Sequence, residues 1–215
     1  AVRQNGRIVI ENRSLDQFFE LNPASGVLTP LATHTASTVS GIAVDSADRL
    51  FAIDSTTDDL AIYDPNTGVK TPLGPVGTGL FFSGLAFDSA DNLFTITRGN
   101  LLTNVDPNTG AGTIVGTMGV SVFDGLAFDG SDTLYSSYRV GAVSDLITVD
   151  PLTGVELSRV AISGISTNIL ALEFGPAASP VPEPTSLVLL LTGAFGVSRL
   201  RRNRKLPLAA KRTRR

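Results

Sequence analysis

The first 175 residues or so contain short runs of apolar and β-branched residues broken every few positions by Asp, Asn, Gly, Pro or Ser, with no sustained helical period. Two series recur in phase. One is Asn22-Pro23-Ala24-Ser25-Gly26, Asp64-Pro65-Asn66-Thr67-Gly68, Asp106-Pro107-Asn108-Thr109-Gly110 and Asp150-Pro151-Leu152-Thr153-Gly154, spaced 42, 42 and 44 residues. The other is Gly41-Ile42-Ala43-Val44-Asp45, Gly84-Leu85-Ala86-Phe87-Asp88 and Gly125-Leu126-Ala127-Phe128-Asp129, with a degenerate copy at Ala171-Leu172-Glu173-Phe174.

Each unit reads as four strands. Gly-Leu-Ala-Phe-Asp leads through a polar turn to a second strand such as Leu93 to Ile96; a hairpin then joins a third strand (Leu101 to Val105) to a fourth (Gly112 to Gly116). In the Asp-Pro-Asn-Thr-Gly hairpin loops, Asp caps the turn, Pro presets φ and Gly takes the left-handed position. Leu85-Ala86-Phe87 has no polar side, as expected of an inner strand covered on both faces. The fold class expected is therefore all-β: a β-propeller of about four blades, built from four-stranded repeats of about 42 residues. A piece of a larger propeller, or a linear stack, fits the same pattern less directly.

In phase, the chain starts near a second strand (Arg7 to Ile10) and continues with a third (Gln17 to Leu21) and a fourth (Gly26 to Ala32). Ile169 to Phe174 is expected to supply the missing first strand, so that the two ends complete one blade and leave no open sheet edge. The opening Gly of each inner strand is expected where strands converge on the axis.

Composition narrows the chemistry. With no Cys in 215 residues, a disulfide framework, a thiolate metal site and a Cys nucleophile are excluded. Residues 1–198 carry 8 basic and 20 acidic groups, a net charge of −12, while nine basic residues and no acid follow position 198. An acidic body argues against nucleic acid as a partner. The loops lack the alternating oxygen donors and closing acid of a calcium site. No metal or cofactor is expected. His34, the one histidine, reads as a surface strand or loop residue. Asp124 stands where the other units have Ser40 and Ser83, and one odd Asp reads as turn chemistry rather than a general base. Tyr135, Tyr138 and Arg139 could contribute to a glycan or protein contact, with strand-edge packing the simpler reading.

The carboxyl end has a different grammar: Val181-Pro182-Glu183-Pro184, fourteen uncharged residues (185–198), then Arg199, Arg201, Arg202, Arg204 and Lys205. Fourteen helical residues cover about 21 Å, short of the roughly 30 Å hydrocarbon layer; tilt, thinning and arginine snorkelling could close the gap. A single C-terminal transmembrane helix is expected, with the basic residues cytoplasmic. The division expected is a repeat domain (1–176), a Pro-rich linker (177–184), an apolar sorting helix (185–198) and a basic cytoplasmic tail (199–215). The segment Ala1 to Asn12 has no signal-like apolar region and no initiator Met, so an export signal is expected to have been removed or to lie upstream.

This three-part end resembles the PEP-CTERM sorting domain, and the repeats resemble extracellular bacterial propellers. The first resemblance implies that an exosortase, a membrane peptidase or transpeptidase, recognises Pro182, Glu183 and Pro184. It also implies an exported, inner-membrane-anchored precursor that ends at the cell surface or outside the cell. The stretch Leu206 to Arg215 is longer than the usual basic end. The function expected is a non-catalytic binding or scaffold module, with exopolysaccharide or other surface proteins as partners. The alternatives are a propeller hydrolase or lyase acting on extracellular polysaccharide, and a binding protein whose anchor is never cut.

Overall fold

The computed structural model describes residues 1–35, 38–79, 83–119, 123–140, 143–162 and 172, and every regular element among them is a strand. Sheet 1 holds β1 (Ile8–Asn12), β2 (Gln17–Leu21) and β3 (Leu28–Thr33). Sheet 2 holds β4 (Val39–Val44), β5 (Leu50–Asp54), β6 (Asp59–Tyr63) and β7 (Lys70–Pro75). Sheet 3 holds β8 (Ser83–Phe87), β9 (Leu93–Thr97), β10 (Leu101–Val105) and β11 (Gly112–Thr117); sheet 4 holds β12 (Phe123–Phe128), β13 (Leu134–Val140), β14 (Val143–Val149) and β15 (Glu156–Ala161). Each sheet is an antiparallel meander, and β8 lies between β4 and β12. The architecture is the expected all-β, four-blade propeller.

Stacking explains the sequence pattern. A sheet covered on both faces needs apolar residues on both faces, and β5 and β9 are buried at all five positions. Three clusters fill the seams between consecutive sheets: Phe18, Leu50 and Tyr63 between sheets 1 and 2; Phe51, Leu60 and Leu93 between 2 and 3; Phe94, Leu102 and Leu134 between 3 and 4. Each such side chain contributes about 1.5–3 kcal/mol on burial. Leu85 faces one seam and Ala86 the next, as the inner-strand reading requires.

The Asp-Pro turns have the expected chemistry. Asp64 accepts hydrogen bonds from the Asn66 N–H and the Thr67 hydroxyl, both at 2.8 Å, and Gly68 closes the turn at φ 74°. Hydrogen bonds of this kind hold the Asp64, Asp106 and Asp150 carboxyls below their ordinary values. A second series clasps successive sheets at their inner turns. Asp91 of sheet 3 accepts from the Ser46 N–H (2.9 Å) and hydroxyl (2.5 Å) of sheet 2, and Asp132 of sheet 4 holds Ser89 of sheet 3 in the same way. At the first seam Asp48 is held by the Gln4 N–H and the Arg3 guanidinium.

The chain enters sheet 1 earlier than the sequence suggested. Val2 bridges Ile8, and the Arg3 N–H donates to the Arg7 carbonyl as Asp45 does to Arg49, so Ala1 to Arg3 start the inner position of that sheet. The strand expected from Ile169 to Phe174 lies outside the described residues except for Leu172. Residues 1–177 and 178–215 are separate units. No helix among the described residues is long and apolar enough to cross a membrane, and the apolar segment 185–198 lies outside them.

Candidate functional site

The inner strands converge as the glycines predicted. Gly41 and Gly84 have φ near 68° (67° and 69°), and each sits at a bulge, where β4 skips between Ser40 and Ile42 and β8 between Ser83 and Leu85. A Cβ on Gly84 would stand 2.6 Å from the Leu126 backbone nitrogen, so only hydrogen fits between these strands.

Around them lies an axial cavity of about 590 Å³. Its wall is shared by Ile42, Leu85, Leu126 and Leu172 with the three inner glycines and by the sheet 1 run Ile8, Val9 and Ile10, where Glu11 and Arg13 bring charge to one side. Near the other ends of the inner strands a smaller cavity of about 210 Å³ is bordered by Val2, Arg3 and Gln4. Such a lining suits apolar contact with a few polar anchors. Among the described residues no three His, Asp or Glu side chains come together to hold a metal ion.

His34 departs from expectation. It is 6% exposed rather than superficial, packed on Phe18 (ring centroids 4.8 Å) and Tyr63 (5.9 Å), with Nε2 3.4 Å from Glu11 Oε1. The repeat explains its burial: His34, Val76 and Met118 are 42 residues apart and follow the outer strands in the same way, each N–H donating back to its own sheet. Glu11 likewise takes the place of Ile53 and Ile96. Sheet 1 thus has a polar pair where its neighbours have two hydrophobes. Glu11 Oε1, both His34 ring nitrogens and the Tyr63 hydroxyl are buried without a hydrogen bond. Burial pushes the Glu11 carboxyl above its ordinary value against the pull of His34, and burial, then Asp54, pushes the Tyr63 hydroxyl up. The alignment of residues 34, 76 and 118 was the signal available in the sequence.

Tyr138 reaches a residue of β15. The guanidinium of Arg159 lies 4.5 Å above its ring and also meets Glu156 (2.6 Å) and Asp145 (3.6 Å). Tyr135 is half-buried in the same strand. The side chains of Asp124 and Arg139 lie outside what is described, as do Pro182, Glu183, Pro184, Arg199, Arg201, Arg202, Arg204 and Lys205.

Residues 180–204 match the PEP-CTERM protein-sorting motif. The match spans Pro182, Glu183, Pro184 and all four arginines from Arg199 to Arg204, and stops one residue before Lys205. A search among curated protein sequences gives no match. Among solved structures the chain is similar to virginiamycin B lyase from Staphylococcus aureus, at 12% identity and TM-score 0.55, covering 82% of this chain and 59% of that one. A gluconolactonase from Xanthomonas campestris is similar at 15% identity and TM-score 0.57, covering 78% and 62%. So is a chain of a nidogen/laminin complex, at 13% and 0.56, covering 72% and 60%. At these identities the likeness carries the fold alone. The chain spans about six-tenths of the length of these three structures.

Proposed function

We propose that this chain, which carries a PEP-CTERM sorting motif beside a four-blade propeller-like domain, is an exported surface or extracellular-matrix protein. In this reading its propeller binds without catalysing. The motif over residues 180–204 carries the sorting half. It implies export, a membrane-anchored precursor and recognition of Pro182, Glu183 and Pro184 by an exosortase. The axial lining of Leu, Ile and Gly supports the binding half, because it offers contact area with few groups able to move protons.

The test is the intact mass of the extracellular form in an exosortase-positive host and in its exosortase-deleted sibling. A product shortened near residue 184 in the first host only is expected. Alanine at Pro182, Glu183 and Pro184 together should return the full-length mass. Unchanged processing of that variant would remove the sorting half of the proposal.

A second reading is a hydrolase or lyase acting on extracellular polysaccharide; a lyase and a gluconolactonase are among the solved structures that share the fold. Depolymerisation of host exopolysaccharide by the purified protein, lost in Asp124→Ala, would put this reading first.

A further inference from the structure

The four outermost strands are not equivalent. β3 carries Pro30, β7 carries Pro72 and Pro75, and β11 carries Gly112 and Gly116, whereas β15 (Glu-Leu-Ser-Arg-Val-Ala) has neither residue type. Pro removes a donor from a free strand edge and Gly weakens the strand, so the first three edges are guarded against pairing and the fourth is not.

Coverage differs too. The turn glycines Gly68, Gly110 and Gly154 are buried against the outer strands of the preceding sheets, at Thr33, Gly74 and Gly116. The matching Gly26 of sheet 1 is exposed with open space around it. On sheet 4, Val160 takes the register position of Gly74 and Gly116, and Val160 and Leu157 are 63% and 65% exposed; Val155, like Val27 and Val69 at the same place on sheets 1 and 2, is exposed as well.

We propose that β15 is a dimerisation edge: a second copy of this chain lays its own β15 antiparallel against this one about a two-fold axis, joining two four-stranded sheets into one. The charge pattern selects a second copy. Pairing with β14 runs from Val149↔Glu156 to Thr148↔Ser158, so Leu157 is bulged out and Glu156 and Arg159 share a face, as their 2.6 Å contact within the chain also requires. In the antiparallel register that sets Val155 opposite Val160 of the second copy, Glu156 stands opposite Arg159 and Arg159 opposite Glu156. Both charges and both valines find partners in one self-complementary arrangement, as a two-fold interface demands. The ion pair exists already within each chain, so its exchange across the axis desolvates little that is new.

Sedimentation velocity of the full chain over a broad concentration range tests this. The expected result is a dimer that dissociates on dilution, and a dimer at least about tenfold weaker in Glu156→Arg or Arg159→Glu, each of which sets like charges opposite one another. Mixing those two variants restores opposite charges at both positions and should give a heterodimer of wild-type strength, which a misfolded variant cannot do. Because the chain has no Cys, Val155→Cys/Val160→Cys should also form a covalent dimer under oxidation where neither single variant does. A wild-type monomer at all concentrations, single variants that dimerise like wild type, or a mixture that stays monomeric would each overturn the proposal.

Discussion

Replacing Glu11 by Ile and His34 by Val together should stabilise the protein, although each change alone should weaken it. The two residues are what the repeat itself uses at these places, Ile53 with Val76 and Ile96 with Met118. The His34 side chain has no exposed surface and that of Glu11 only 12%, and three of their polar atoms lack a hydrogen bond. Exchanging a buried polar pair for packed hydrophobes of similar size ranges from neutral to about 4 kcal/mol in favour of folding, whereas removing one partner costs about 1–3 kcal/mol because the other polar group stays buried and unsatisfied. In a protein of this size about 1 kcal/mol moves the midpoint by roughly 2–4 °C. Thermal unfolding by circular dichroism should therefore show a rise in the double variant and a fall in His34→Val. The Glu11 carboxyl is held above its ordinary value, so its folded form favours the proton. That contribution is full below the usual glutamate range, about pH 4.3, and is lost as pH rises through the raised folded value. Glu11→Gln, which keeps a polar partner for His34 and removes the charge that burial disfavours, should accordingly stabilise at neutral pH and make little difference in acid. A double variant less stable than wild type at neutral pH, with an unchanged β spectrum, would refute the reasoning.

Other outcomes follow from the seams. Gly84→Ala puts a Cβ at φ 69° into the Leu126 backbone and should cost about 3 kcal/mol or more, while Gly26→Ala, at the same φ in open space, should cost only about 1–2 kcal/mol; chemical denaturation separates the two. The Asp91 and Asp132 carboxyls are held below their ordinary value by Ser46 and Ser89. Their contribution is present above the usual aspartate range and lost as pH falls through the lower folded values, so Asp91→Asn should lower the midpoint at pH 7 and make little difference in strong acid. The far-ultraviolet spectrum of residues 1–177 should be all-β, and substantial helix there would contradict the fold.

Much of the architecture was legible because a repeat repeats its constraints. Each Asp-Pro-Asn-Thr-Gly must make the same turn and each inner Gly the same close approach, so the strand order and phase of the three full units follow from spacing. The sorting end was legible for a related reason: a proline-marked, apolar and then basic segment is a linear motif, matched by the order of its residues without a folded context. His34 shows where such reading stops. Isolated, it resembles any polar loop residue; only its alignment with Val76 and Met118 places it in a core.

The all-β class, the blade repeat, the turn chemistry and the sorting segment are written in the order of the residues, since all of these depend on residues near one another along the chain. Which side chains meet across the seams follows from the packed fold. It joined Glu11 to His34, His34 to Tyr63, Asp91 to Ser46, and Arg159 to Tyr138, partners 21 to 45 residues apart. It also showed which outer strand is the most exposed among the described residues, because exposure depends on what the neighbouring sheet places there as well as on the strand's own residues.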